Sequence, residues 1–331
     1  MAGMLLSKAF IAEFGERLHA RAAEVGAEVR VLHLPDDPTA RLSAEQLAQI
    51  QVAYLTRDVR FSDHYATFGD TVSAAPNLKW VHFSSTGIDQ HPWLNGLIER
   101  GVKLTSSAGT NGEPVGQTAI CGMLMLARRC PQWIESQRRH AWEPIRGKDA
   151  PSDLRGQTVA IVGLGTIGGT VARFCQAIGM HVIGVRRSPK QPGDPVDEMH
   201  GIAEFPSLMP RCDWVVLACP LTSETRHLLN AQTLAALPKG AHVVNVARGG
   251  VADEPALIDA LKSGHLGGAY LDVFAKEPLP ADSPLWDMPN VICTPHNAQA
   301  SAGNDGRAFD VFTTNFARWL RGEGMVNERQ A

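Results

Sequence analysis

The chain has 331 residues, of which 44% are hydrophobic and 20% are charged, with a formal net charge of −3. This length allows two domains of ordinary size, each with its own hydrophobic core. The composition is that of a folded globular protein. The charge balance provides neither a basic surface for nucleic acid nor an acidic tail, so we expect no nucleic-acid partner.

The N-terminal residues, from Met1 to Lys8, lack the charged start and the long apolar stretch of a signal peptide. No apolar run approaches the roughly 20 residues that span a bilayer. The six cysteines show neither C-x-x-C nor zinc-ligand spacing, and most lie in apolar runs. We therefore expect a cytoplasmic protein with reduced thiols, without a metal site and without membrane association.

The first hundred residues alternate short apolar runs with helical patterns, which predicts a parallel α/β layer. The predicted strands are Val29–Leu32, Val52–Leu55, Trp80–Phe83 and Val102–Leu104, and the predicted helices are Glu13–Val25 and Ser43–Gln49. The turn-rich run Ser106–Pro114 then indicates a crossing between domains. A long apolar helix over Val115–Arg129 follows, which we expect to pack at a domain or subunit interface. Its methionines favour core packing over a ligand site.

A second alternation begins at Gln157. Its six predicted strands are Val159–Val162, His181–Val185, Trp214–Ala218, His242–Asn245, Gly268–Asp272 and Val291–Cys293. Helical patterns such as Ile167–Ile178 and Glu254–Ser263 lie between the strands. With right-handed crossovers, this order predicts a doubly wound sheet. A last helical pattern, Asn304–Arg321, has no strand after it and could return to the first domain and complete it.

The segment Val159–Gly168 joins an apolar strand to the glycine pattern G-x-G-x-x-G of a dinucleotide-binding turn. Gly163 permits the tight turn, Gly165 lets the backbone approach a pyrophosphate, and Gly168 lets helix and strand pack closely. The amides of the first helical turn, at Thr166 and Ile167, would then face the phosphate charge.

The next predicted strand ends in Arg186, Arg187 and Ser188 rather than in an acid. A ribose 2′-hydroxyl is usually held by an acid about 20 residues after the first glycine of the turn, whereas a 2′-phosphate needs positive charge. Arg186 stands 23 positions after Gly163. The sequence therefore favours NADP(H), with NAD(H) as the alternative cofactor. The competing interpretation is that two solvated arginines end the strand.

Three polar residues follow later strands of the second sheet, where strand ends border the ligand crevice of a doubly wound fold. Arg248 could hold a carboxylate through two parallel charge-assisted bonds. Glu277, if paired with His296, would fix the histidine tautomer and keep an imidazolium available near neutral pH. Taken singly, each could be structural or solvated. Their common sheet edge favours a site for carbonyl reduction, which needs a proton donor.

These motifs, with Cys219–Asn230, Asn245–Gly250, Asp272–Pro278 and Thr294–His296, resemble those of the D-isomer-specific 2-hydroxyacid dehydrogenases. The resemblance runs from about Leu78 to the C-terminus. It implies an α/β protein of two Rossmann- or flavodoxin-like domains with doubly wound parallel sheets. A substrate domain of residues 1–107 and 299–331 would contain the dinucleotide-binding domain, residues 108–298, as an insertion. A homodimer is the usual assembly.

The resemblance also implies roles for individual residues. Arg248 would bind the substrate carboxylate and polarise its carbonyl, and Glu277 and His296 would form the acid–base pair. The loop that begins at Ser84 and ends at Asp89 matches the family's substrate-domain loop, and the residues predicted to bind the carboxylate through their amides are Ser84, Ser85, Thr86 and Gly87. The residues that match positions around the nicotinamide and its ribose are Cys219, Ala247, Asp272 and His296.

The expected activity is NADPH-dependent reduction of a small 2-oxo acid, such as glyoxylate or hydroxypyruvate, to the D-2-hydroxy acid. One alternative is an NAD-dependent 3-phosphoglycerate dehydrogenase, which fits less well because no regulatory domain follows residue 331 and because Arg186 argues against NAD. Another is a non-catalytic dinucleotide-sensing scaffold, although the Arg/Glu/His set is complete and no long tail is present. Arg57 or Arg60 could meet a second acidic group of the substrate, or lie in a solvated loop.

Overall fold

The computed structural model describes residues 2–88, 91–147 and 150–329. The chain divides into two compact units. The terminal unit combines both chain ends, Met1–Thr110 and Ala302–Ala331, and the central unit is Asn111–Ser301. The boundaries expected from the sequence, after residues 107 and 298, lie three residues before those of the structure.

The terminal unit contains a parallel sheet of five strands in the order β2-β1-β3-β4-β5. The strands are β1 (Ala2–Leu5), β2 (Val29–Leu32), β3 (Val52–Leu55), β4 (Trp80–Phe83) and β5 (Lys103–Ser106). Its helices are α1 (Lys8–Glu24), α2 (Ala44–Gln49), α3 (Arg57–Arg60), α4 (His64–Ala74), α5 (Leu94–Glu99) and α12 (Asn304–Leu320). This strand order is that of flavodoxin-like folds. Strand β1 was not predicted from the sequence, because it is only four residues long and contains a glycine.

Aromatic packing attaches the last helix to the terminal unit. Phe309, Phe312 and Phe316 of α12 are buried in the same hydrophobic cluster as residues of β1, β3, β4 and α1. Phe312 stacks on Tyr54 with ring centroids 4.8 Å apart, and Phe309 stacks on Phe14 at 4.9 Å. Since burial of one large apolar side chain stabilises by about 1.5–3 kcal/mol, this helix is part of the unit's core.

The central unit contains a parallel sheet of seven strands in the order β12-β11-β10-β9-β6-β7-β8. The strands are β6 (Thr158–Val162), β7 (His181–Val185), β8 (Glu198–His200), β9 (Trp214–Leu217), β10 (Ala241–Asn245), β11 (Leu266–Leu271) and β12 (Val291–Cys293). Its helices are α6 (Gly112–Ala127), α7 (Cys130–Arg138), α8 (Thr166–Ala177), α9 (Phe205–Leu208), α10 (Ala231–Ala236) and α11 (Glu254–Lys262).

The predicted α/β class with doubly wound parallel sheets is confirmed. Inner strands such as β9 are buried along their whole length, and strands buried on both faces form continuous apolar runs that are visible in a sequence. The sequence predicted six strands here and not seven, because β8 is a short polar edge strand. Strand β6 lies between β7, the next strand in the chain, and β9. From β6 the strand order therefore runs in both directions. The carboxyl ends of β6 and β9 therefore mark the topological switch point, where such folds bind ligands.

Within the described ranges, no helix is long and apolar enough to span a bilayer. The same part of the chain brings together no group of three or more His, Cys, Asp or Glu residues that could hold a metal ion. All six cysteines are free.

A directional hydrogen-bond chain crosses the interior of the terminal unit. The Trp80 indole donates to the Thr105 hydroxyl at 2.8 Å, and that hydroxyl lies 2.7 Å from Nδ1 of His82. Nε2 of His82 lies 3.0 Å from the Ser107 hydroxyl, which donates to the Phe83 carbonyl. A neutral imidazole that accepts at Nδ1 and donates at Nε2 satisfies every member. Complete burial lowers the pKa of His82 from 6.5 to about 3.

This buried histidine predicts a loss of stability in mild acid. In the unfolded chain His82 takes up a proton below about pH 6.5, whereas in the folded chain it stays neutral down to about pH 3. The stability that depends on neutral His82 is therefore present above pH 6.5 and declines as the pH falls, by at most about 1.4 kcal/mol per pH unit.

Urea unfolding of the full chain at pH 7 and pH 5 measures this slope. His82→Gln should flatten it, while the matched control His19→Gln, at an exposed position, should not. If the free energy of unfolding fell equally between pH 7 and pH 5 in wild type and in His82→Gln, the prediction would be wrong.

Candidate active site

The glycine turn between β6 and α8 has steric constraints at two of its three glycines. Gly163 has φ +90°, and a Cβ there would lie 2.7 Å from the Ala218 carbonyl oxygen. A Cβ at Gly168 would lie 1.8 Å from the carbonyl oxygen of Gly163. These two positions therefore exclude any side chain, as the sequence pattern predicts.

The middle glycine is open. No atom of the described residues outside its chain neighbours and its own helix lies within 4 Å of a Cβ built on Gly165, and this residue is the N-cap of α8. Thr166, the next residue, is exposed and Ile167 is half-buried. The amides of the first helical turn thus face open space at the switch point of the sheet, which fits a dinucleotide pyrophosphate.

Arg248 follows β10 on a turn that is fixed by its own neighbours. The Asn245 side chain accepts a hydrogen bond from the Ala247 amide at 3.1 Å and donates to the Arg248 carbonyl at 3.3 Å. Gly249 packs against the backbone of Phe274, so that a Cβ on Gly249 would lie 2.0 Å from the Phe274 carbonyl group. The Arg248 side chain is exposed, contacts the Ala247 carbonyl, and pairs with no carboxylate of the described residues. It is therefore available to an external anion.

Glu277 and His296 form the predicted pair. Nδ1 of His296 lies 2.6 Å from Oε2 of Glu277, and the other carboxylate oxygen accepts the Phe274 amide at 3.0 Å. The Phe274 amide thus holds the Glu277 carboxylate in place, and this carboxylate orients the His296 imidazole. Nε2 of His296 has no hydrogen-bond partner within the described part of the chain. Because β10, β11 and β12 are adjacent parallel strands, Arg248, Glu277 and His296 share one sheet edge.

Three further residues predicted near the nicotinamide also follow strands at this edge. Cys219 and Ala247 are buried, and burial raises the pKa of the Cys219 thiol to about 11, so the thiol stays protonated. Asp272 is buried too, and its carboxylate accepts hydrogen bonds from the Thr294 hydroxyl and from the amides of Asn297 and Ala298. Asp272 therefore contacts the loop that carries His296.

The two arginines that follow β7 have different environments. Arg186 forms a two-pronged ion pair with Asp194, at 3.0 and 2.5 Å, and also donates to the carbonyls of Ser188 and Pro189. This guanidinium holds the pKa of the Asp194 carboxyl below its usual value. Arg187 is 71% exposed and pairs at 3.0 Å with Glu224, which is itself exposed. Arg186 therefore shapes the loop, and Arg187 and the exposed Ser188 are presented on it.

The predicted substrate loop lies in the terminal unit after β4. The Ser84 amide donates to the Leu55 carbonyl at 3.1 Å, and the Ser85 hydroxyl donates to the Gly87 carbonyl at 2.9 Å. Thr86 and Gly87 are exposed. Asp89, the last residue of the predicted loop, lies outside the described residues.

A cavity of about 1090 Å³ lies elsewhere in the central unit. Its walls include Gln157, Trp214 and Ala241, which lie at the amino ends of β6, β9 and β10. This edge of the sheet is opposite to the glycine turn, and the walls include none of the predicted site residues.

Residues 120–298 match the model of the D-isomer specific 2-hydroxyacid dehydrogenase family, NAD binding domain. The chain therefore belongs to this family. It is 36% identical over 266 residues to the D-3-phosphoglycerate dehydrogenase of Homo sapiens, which covers 78% of this chain and 48% of that protein. It is also 36% identical over 240 residues to a Haemophilus influenzae protein that carries the name 2-hydroxyacid dehydrogenase without a stated substrate, covering 70% of this chain and 74% of that protein.

Among solved structures, the chain is similar to an NADPH-dependent glyoxylate/hydroxypyruvate reductase from Sinorhizobium meliloti, in complex with NADP and sulfate. The two are 30% identical with a TM-score of 0.73, over 100% of this chain and 98% of that chain. By contrast, the chain spans about half the length of the D-3-phosphoglycerate dehydrogenases that it matches.

Two side chains that contact the predicted site residues were not predicted from the sequence. Asp194 neutralises Arg186 from eight residues further along the chain, and no local pattern indicates that contact. Thr294 lies within the quoted motif Thr294–His296, so its position was marked, but its contact with Asp272 arises from the pairing of neighbouring strands.

The glycine turn gives a matched pair of variants. Gly168→Ala should destabilise the protein by about 1–3 kcal/mol, because the new methyl group collides with the Gly163 carbonyl. Gly165→Ala should leave the thermal midpoint unchanged, because its surroundings are open, but should weaken binding of nicotinamide dinucleotides. Thermal unfolding and a fluorescence titration with nucleotide measure the two effects. Wild-type nucleotide affinity in Gly165→Ala would contradict the assignment of the turn.

Proposed function

We propose that the protein reduces a small 2-oxo acid to the D-2-hydroxy acid with NADPH. The observation that carries the proposal is the 2.6 Å contact between His296 and Glu277 at the sheet edge that also bears Arg248 and the glycine turn. A histidine oriented by a carboxylate, on the same sheet edge as an arginine that pairs with no carboxylate of the described residues, provides a proton donor and an anion site on one edge.

Each side chain has a separate task in this scheme. When bound, NADPH supplies a hydride to the carbonyl carbon of the substrate. Arg248 holds the substrate carboxylate through its free guanidinium nitrogens. His296 donates the proton on Nε2 to the carbonyl oxygen as that oxygen gains negative charge, and Glu277 holds Nδ1 and balances the imidazolium charge before the transfer. Hydride and proton together complete the reduction of the C=O bond.

The terminal unit has a proposed contribution as well. The loop from Ser84 to Gly87 is proposed to bind the substrate carboxylate, as the resemblance to the family implies. The amides of Ser85, Thr86 and Gly87 would serve, since the Ser84 amide is bonded to the Leu55 carbonyl. A homodimer is proposed on the same basis, and light scattering of the purified protein tests it.

The substrate class is proposed from two kinds of relatives. The name of the Sinorhizobium meliloti reductase specifies glyoxylate and hydroxypyruvate. This chain matches that reductase over almost its full length. The D-3-phosphoglycerate dehydrogenases, which are 34–37% identical, favour a second candidate, an NAD-dependent enzyme acting on D-3-phosphoglycerate. Assays of glyoxylate, hydroxypyruvate and 3-phosphohydroxypyruvate with NADPH and with NADH distinguish the two candidates.

We propose that the loop after β7 makes the protein prefer NADP. Arg187 on this loop would contact the 2′-phosphate directly. Its guanidinium is exposed and its pairing with Glu224 is a surface ion pair, which stabilises by at most about 1 kcal/mol and can yield to a phosphate. Arg186, whose nitrogens are occupied by Asp194 and two carbonyls, is proposed to hold the loop in shape. The exposed Ser188 hydroxyl can supply a further donor.

Arg248→Ala should reduce kcat/KM by several orders of magnitude, on the order of 4 kcal/mol or more, because a charged contact to the substrate is lost in the transition state. Arg248→Lys, which keeps the charge and loses the fork, should recover part of the activity. Steady-state kinetics with the best substrate of the panel measure both variants. Activity of Arg248→Ala within tenfold of wild type would refute the assigned role.

Arg187→Ala should lower kcat/KM for NADPH by about 10- to 100-fold, the effect of one charge-assisted hydrogen bond, and leave kcat/KM for NADH within about twofold. Arg321→Ala is the matched control, because it removes an exposed arginine of the terminal unit. An equal loss with both cofactors would contradict the role of Arg187. A wild-type preference for NADH would contradict the NADP proposal itself.

A further inference from the structure

One aspartate fastens the loop that carries His296. The backbone carbonyl of Asp272 accepts the His296 amide at 2.9 Å. Its carboxylate accepts the Asn297 amide at 2.8 Å and the Ala298 amide at 3.0 Å. The same carboxylate oxygen accepts the Thr294 hydroxyl at 2.6 Å. Asp272 is 3% exposed, so these bonds form where water does not compete for them.

The hydrogen bonds around Thr294 have a fixed direction. A carboxylate only accepts, so the single hydroxyl proton of Thr294 points to Asp272. The Tyr270 hydroxyl lies 2.7 Å from the Thr294 oxygen and must therefore donate to it. Burial raises the pKa of Tyr270 to about 12, so this proton stays in place. The ring of Tyr270 is wedged against α6, where a Cβ on Gly122 would lie 2.3 Å from it.

His296 needs such support because its backbone is strained. It has φ +51°, a left-handed conformation that costs energy in a residue with a side chain and persists only where the surroundings enforce it. In this conformation its Nδ1 reaches Glu277 at 2.6 Å. Asp272 accepts hydrogen bonds from both sides of His296, from the Thr294 hydroxyl before it and from the amides of Asn297 and Ala298 after it.

We infer that Thr294, supported by Tyr270, is a positioning residue for His296. Its hydroxyl fixes the Asp272 carboxylate and the start of the loop, and thereby keeps the strained histidine paired with Glu277. Both of its hydrogen bonds are made inside the protein, so Thr294 acts on the loop and not on a ligand. The consequence for catalysis rests on the proposed function, whereas the consequence for the pairing of His296 does not.

The test compares Thr294→Val, which keeps the shape and removes the hydroxyl, with Thr294→Ser, which keeps the hydroxyl. In Thr294→Val, kcat should fall by about 10- to 100-fold, the effect of a misplaced catalytic group. KM for the 2-oxo acid and nucleotide affinity should stay within about threefold. Thr294→Ser should retain kcat within about threefold. In Tyr270→Phe, kcat should fall by about three- to tenfold. Its control is Tyr54→Phe, which changes a buried tyrosine of the terminal unit.

A second readout is independent of turnover. The ¹⁵N chemical shifts of the His296 imidazole, assigned with His296→Gln and recorded with the ring in its neutral form, report which tautomer is held by Glu277. These shifts should match wild type in Thr294→Ser and Tyr54→Phe. In Thr294→Val they should move towards the average of two exchanging tautomers, with a smaller movement in Tyr270→Phe.

Unchanged shifts in Thr294→Val, or damage in Thr294→Ser equal to that in Thr294→Val, would overturn the inference. If Thr294→Val does not fold, wild-type shifts and kcat in Tyr270→Phe overturn it instead. If wild type reduces no 2-oxo acid, the proposed function fails, and the shifts alone still decide whether Thr294 positions His296.

Discussion

The parallel sheet of the central unit imposes the constraint on which the candidate site depends. Parallel strands all place their carboxyl ends at one edge, so each loop that leaves a strand delivers its first residues to the same place. Arg248, Glu277 and His296 follow three adjacent strands, and the glycine turn follows a fourth. Residues more than a hundred positions apart in the chain therefore reach one sheet edge without any insertion or special loop.

Two of these loops are held by buried or half-buried carboxylates of the protein itself. Asp272 fixes the His296 loop through its amides and Thr294, and Asp194 fixes the loop after β7 through Arg186. In both loops a charged side chain holds the shape, and a neighbouring side chain, His296 or Arg187, is exposed. Charge close to a binding site is therefore not by itself a sign of ligand contact.

The strongest sequence signals were those that a local physical rule produces. Buried parallel strands are continuous apolar runs, so β7 and β12 were predicted at their observed bounds, while the polar edge strand β8 and the short β1 were missed. The glycine turn was predicted because steric clashes leave no other residue at Gly163 and Gly168. Arg186 was marked by its position, but its partner Asp194 was not, because a contact across a loop leaves no periodic pattern.

The sequence by itself determined the α/β class, the family and the identity of the residues at the strand ends, since these follow from hydrophobic periodicity and from motifs of adjacent residues. Only the tertiary structure decided which of these residues hold the protein's own loops and which are exposed. Arg186 and Asp272 are occupied by Asp194 and by the His296 loop, and Arg187 and Arg248 are exposed. The physical reason is that hydrogen-bond partners are set by the distance between neighbouring strands and loops, which the order of residues in the chain does not fix.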